Sequence, residues 1–114
     1  MAQYLLLLRS DPSAWDNLSP EQMQRTVEKY VTWRNRPFVV GSNRLEMTGR
    51  LMQKKDDKIG VTDGPFSESR EVLGGYFAIE AKDLDEAVAR TMDHPHFEFG
   101  SIEIREIMPR PEAN

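Results

Sequence analysis

The stretch "LSPEQMQRTVEKYVTWRNRP", residues 18–37, constrains the fold most, because it writes a helix with both ends marked. Ser19 is a good N-cap, Pro20 suits the first helical position, and Gln22 completes a capping box. Leu18 and Met23 are spaced for a hydrophobic staple, and Met23, Val27, Tyr30 and Val31 share one helical face. Pro37 disfavours helical geometry at Arg36 and ends the element. A second helix is marked in the same way. Asp83 and Glu86 form an acidic capping box, Leu84, Ala87, Val88, Thr91 and Met92 make one stripe, and Pro95 stops the run.

Strand patterns fill the intervals. "YLLLLR" is a short continuous apolar run, as expected of a central strand buried on both faces. "SDPSAWDN" then carries turn formers. "FVVGSNRLEM" reads as a strand ending at Gly41 and a polar bend. "RLMQKKDDKIGVT" reads as a hairpin with Asp56 and Asp57 near its tip. "GGYFAIE" is a strand with Tyr76 to Ile79 as its body. "SIEIREI" alternates Ile102 and Ile104 against Glu103 and Arg105 in a half-buried strand. The tail from 108 to 114 is expected to fray.

The order is strand, helix, strand, hairpin, strand, helix, strand. Two βαβ-like halves around a hairpin predict an α+β, ferredoxin-like split βαβ fold, with two helices on one face of an antiparallel sheet. At 114 residues the chain is expected to be one domain. The sheet face away from the helices needs a cover, and no third helix is written to supply it. A homodimer with face-to-face sheets is the expectation, against the blander alternative of a polar outer face and a monomer.

Composition narrows the function classes. A net charge of −4 with scattered basic residues argues against a nucleic-acid partner. No cysteine is present, which excludes thiolate catalysis, disulfides and sulfur-ligated zinc. The apolar run Tyr4 to Leu8 is too short for a signal-peptide core or a membrane span, so a cytoplasmic protein without a membrane role is expected.

"TDGPFSESREVLGGY", residues 62–76, concentrates unusual chemistry. Asp63 is suited to close an Asx-type turn, Gly64 can take a positive φ, and Pro65 fixes the backbone behind it. In an extended chain Phe66, Glu68 and Arg70 share one face, while Ser67, Ser69 and Glu71 share the other. Phe66, Glu68, Arg70 and Glu71, with Arg44, are the expected ligand-binding residues at a pocket mouth, and Arg9 and Arg44 would add positive charge for an anionic ligand. The competing readings are a turn pin at Asp63 and solvated ion pairs elsewhere.

"DHPHFE" holds both histidines. If extended, His94, His96 and Glu98 project to one side, a weak metal pattern, and no metal or other cofactor is expected. His94 and His96 are also the only side chains whose ordinary pKa lies near neutrality. With Asp63 as a partner they form the expected catalytic set. The competing reading gives both imidazoles a structural place, His94 at a helix C-terminus.

"DGPFSESREVLGGY", with "GSNRLE" (41–46), "LDEAV" (84–88) and "IEIRE" (102–106), resembles the YCII-related family in its DGPF-domain branch, with Arg70 where lysine is usual. The resemblance covers nearly the whole chain and implies a dimeric ferredoxin-like α/β barrel from a bacterial source. Some relatives are thought to be enzymes with a His–Asp pair, including a dehydrochlorinase. That pair maps onto Gln22 or Met23 and onto His94 here, with Asp93 one step away. One step on a helix turns a side chain by about 100°. The function expected is small-molecule binding, with lyase- or isomerase-like proton transfer if there is turnover. The alternative is a non-catalytic accessory linked, as many DGPF members are by gene neighbourhood, to an extracytoplasmic-function sigma factor.

Overall fold

A computed structural model describes residues 1–64 and 71–111. The chain runs β1 (Ala2–Ser10), α1 (Pro20–Arg34), β2 (Val39–Arg44), β3 (Gly49–Lys55), β4 (Lys58–Gly64), β5 (Val72–Ala81), α2 (Leu84–Thr91) and β6 (Gly100–Glu106). Two short 3-10 turns, Pro12–Trp15 and Pro95–Glu98, complete it. Four strands form one antiparallel sheet in the order β2-β5-β1-β6, and β3 and β4 form a separate two-stranded ribbon. This is the mixed α+β, ferredoxin-like architecture that the element order predicted.

The helix ends follow local chemistry. Ser19 accepts from the Gln22 backbone N–H at 3.1 Å, and the Gln22 side chain accepts from the Ser19 N–H at 2.9 Å. At α2, Asp83 accepts from the Glu86 N–H, while the Glu86 carboxylate reaches the Lys82 N–H instead of that of Asp83. Asp56 and Asp57 sit at the ribbon tip with φ of 50° and 65°. Two left-handed residues make the tight turn whose twist suits a two-residue hairpin. Gly64 closes β4 as strand, and no described glycine has a positive φ.

Tyr4, Leu6 and Leu8 of β1 and Phe77, Ile79 and Ala81 of β5 meet Trp33 of α1 and Ala87 of α2 in the core. Three sequence expectations shift here. The most buried residues of α1 are Thr26 and Trp33, while Val27 is exposed. Trp33 sets this rotation, since its ring packs edge-on against Phe38 and Phe77 at 5.5 and 5.4 Å. β2 runs on past Gly41 to Arg44, because Ser42, Asn43 and Arg44 pair with Phe77, Tyr76 and Gly75. β1 is fully buried only on its helix side; Leu5, Leu7 and Arg9 on the other side are half-buried.

That second sheet face has a mixed character. Register places Leu5 beside Ala78 and Leu7 beside Tyr76. Around this apolar centre lie an Arg9–Glu103 ion pair at 3.5 Å and Asn43, which donates to Tyr76 Oη at 2.8 Å. No helix among the described residues is long and apolar enough to cross a membrane.

Candidate functional site

The site is built where the chain leaves α2. Pro95 fits the first position of a 3-10 turn, so residues 95–98 wind up instead of running extended. His94, His96 and Glu98 therefore do not line up on one strand face. His94 becomes the cap of that turn, and its Nδ1 accepts from the His96 backbone N–H at 3.0 Å.

Both imidazoles are 3% exposed, and their hydrogen bonds identify their tautomers. His96 Nε2 lies 2.8 Å from the Arg9 carbonyl oxygen, which can only accept, so Nε2 carries the proton. His96 Nδ1 is then an acceptor, and Tyr30 Oη, 2.8 Å away, donates to it. His94 uses Nδ1 as an acceptor, so its proton also sits on Nε2. Among the described residues that N–H meets no acceptor. The His94 ring is walled by Trp33 at 4.4 Å, Phe77 at 4.7 Å and Tyr30 at 5.7 Å between centroids. Aromatic faces are the weak acceptors left to such a donor.

Electrostatics agrees with this geometry. Burial pushes the His94 imidazole down to about 4, helped by its neighbour His96 and opposed by Asp93. Burial lowers His96 too, against its bond to the Arg9 carbonyl and the charge of Glu71. The Tyr30 phenol is raised, first by burial and then by Glu98, while the Arg44 charge pulls it down. Asp93 is held at about 2, chiefly by Arg36 and then by the Trp33 indole N–H. Its carboxylate takes two Arg36 nitrogens at 2.8 and 2.6 Å and Trp33 Nε1 at 3.1 Å.

The structure brings together part of the sequence-predicted site. Arg44 ends β2 opposite Gly75, and its charge acts on Tyr30. Glu71 precedes β5; it accepts from Ser101 Oγ at 2.8 Å, and its charge acts on His96. Arg44, Tyr30, His96 and Glu71 thus gather at one end of the sheet. Asp63 goes elsewhere: it lies on the ribbon, 90% exposed in its side chain, and pairs with Arg50 at 3.1 Å. Phe66, Glu68 and Arg70, and the turn expected around Pro65, lie outside the described residues. Among the described residues no group of three His, Asp or Glu side chains is placed to hold a metal ion. Sequence reasoning missed the Tyr30–His96 bond and the Arg36–Asp93–Trp33 cluster. Their partners are 57 to 66 residues apart, and no spacing rule links them.

An open cleft of about 760 Å³ lies between α1 and residues 92–98, with Trp33 and His94 in its lining and Arg25, Lys29 and Glu98 among its charged residues. Lys29 and Glu98 form an ion pair at 3.3 Å.

A four-stranded antiparallel sheet with two helices on one face defines a ferredoxin-like α+β domain, and this polar cluster lies at one end of its sheet. The chain belongs to the YCII-related domain family, whose match spans residues 2–110. It is also similar to an uncharacterized protein, R00369, of Rhizobium meliloti (strain 1021). The two are 41% identical over 111 residues, covering 90% of this chain and 89% of that protein.

Proposed function

We propose that this chain is a small-molecule-binding domain that works as a homodimer and takes a small organic anion at the sheet end where Arg44, Tyr30, His96 and Glu71 gather. The carrying observation is Arg44. Among the described residues no carboxylate pairs with its guanidinium, yet its charge reaches the half-buried Tyr30 phenol. An exposed cation within electrostatic reach of a phenol, with no counter-ion among the described residues, suits a carboxylate-bearing ligand. Phe66, Glu68 and Arg70 belong to the connection that enters this end at Glu71; their part in binding rests on the sequence alone.

This reading puts binding ahead of turnover. A general base needs a lone pair free to take a proton. The lone pair of His94 is already taken by a backbone N–H, and that of His96 by a phenol. The dimer is supported by the apolar centre of the open sheet face, formed by Leu5, Leu7, Tyr76 and Ala78.

The test is a thermal-shift screen of aliphatic and aromatic carboxylates, followed by calorimetry on the best binder. Arg44→Ala is expected to weaken binding about tenfold or more, the scale of one charge-assisted contact. Arg50→Ala, on the ribbon, is expected to leave it unchanged. Equal affinity in wild type and Arg44→Ala, or no carboxylate that shifts melting, removes the reading.

A further inference from the structure

Among the described residues the β3–β4 ribbon forms a sheet of its own, separate from the four-stranded sheet, and packs closely on no other element. A lone two-stranded hairpin is marginal in water, so it needs a surface to lie on. Its register gives it two unlike faces. Arg50, Met52 and Lys54 face Asp63, Val61 and Ile59 across one side, and Leu51, Gln53 and Lys55 face Thr62, Gly60 and Lys58 across the other. On the first side Met52, Ile59 and Val61 form an apolar strip and are 63, 64 and 55% exposed.

A matching surface lies at the opposite edge of the fold. Leu84 and Val88 of α2 and Met92 just past its end, with Phe97, Ile102 and Ile104, line an apolar groove of about 370 Å³ along β6. Leu84, Val88, Met92 and Phe97 are exposed there.

We infer that the ribbon is an arm that docks its Met52–Ile59–Val61 face in the α2–β6 groove of a second copy of this chain. Topology supports this occupant. The arm follows β2, one edge strand of the sheet, and the groove flanks β6, the other edge strand. When two such sheets stack about a two-fold axis parallel to their strands, each β2 edge lies over the partner's β6 edge. Strands of seven residues reach about 23 Å, enough to wrap that edge and meet the helix side. The contact is reciprocal, so two arms close one dimer. The inference rests on the dimer reading above and adds to it a defined surface on each partner.

The chain has no cysteine, which makes disulfide trapping clean. Val61→Cys in one copy and Val88→Cys in a differently tagged copy are expected to form a mixed disulfide under mild oxidation. Gln53→Cys, on the other ribbon face, is expected to trap with Val88→Cys about tenfold less. A second measurement uses Met52→Lys/Val61→Lys, two exposed positions that leave the core intact. Sedimentation is expected to show the dimer dissociation constant raised about tenfold or more, with an unchanged circular dichroism spectrum. A wild-type dimer with no trapping above the control and an unaltered dissociation constant overturns arm docking and leaves the sheet-to-sheet dimer standing. A wild-type monomer at micromolar concentration overturns both.

Discussion

Tyr30 Oη donates to His96 Nδ1 at 2.8 Å, and this one bond fastens α1 to the turn that follows α2. It also determines which nitrogen of His96 carries the proton. Tyr30→Phe keeps the ring but leaves a buried acceptor unpaired. The expected loss of stability is about 1–3 kcal/mol, read by urea denaturation.

Acid is expected to destabilise the protein from near pH 6.5 downward. Both imidazoles bind protons less readily folded than unfolded, so the unfolded chain takes up protons first. The His94 contribution is complete above its ordinary value of 6.5, declines as pH falls, and is gone below its folded value of about 4. It amounts to about 3 kcal/mol. Asp93 extends the same trend down to about pH 2, through the loss of its pairing with Arg36. His94→Asn keeps a capping acceptor and is expected to flatten the profile between pH 6.5 and 4, as measured by denaturant midpoints across pH.

Gly100 allows β6 to start against β1. A Cβ at this position would meet the Arg9 carbonyl oxygen at 1.9 Å, and backbone cannot move aside cheaply. Gly100→Ala is expected to cost about 2 kcal/mol or more. Gly74→Ala, where a Cβ meets nothing within 4 Å, is the control and is expected to change the melting temperature far less.

Asp93 serves two donors, and its replacements should differ. Asp93→Asn keeps an acceptor for Trp33 Nε1 while losing the ion pair with Arg36, an exposed interaction worth under about 1 kcal/mol. Asp93→Ala also strands the indole N–H of a buried Trp33 and is expected to cost about 1–2 kcal/mol more. Chemical denaturation of the pair reads the difference.

The fold was legible where local chemistry decides. Ser19, Gln22 and Asp83 mark helix starts through bonds to residues three positions away, and Asp56 and Asp57 mark the ribbon tip. The rotation of α1 was not legible, because Thr26 and Trp33 are buried by what they meet across the core. The same holds at the site. Asp63, expected beside the histidines, lies instead on the ribbon, where it stands opposite Arg50 and pairs with it. The extended reading of His94–Glu98 failed because Pro95 starts a 3-10 turn and His94 caps it.

The claim that places binding ahead of turnover is that both histidines are neutral structural groups with the proton on Nε2. Long-range proton–nitrogen correlation NMR of the imidazoles at pH 7 tests it directly. The account predicts two Nε2–H tautomers, with His94 titrating near pH 4. An Nδ1–H tautomer at His94 or His96, or titration of His94 at the ordinary value of 6.5, would contradict it.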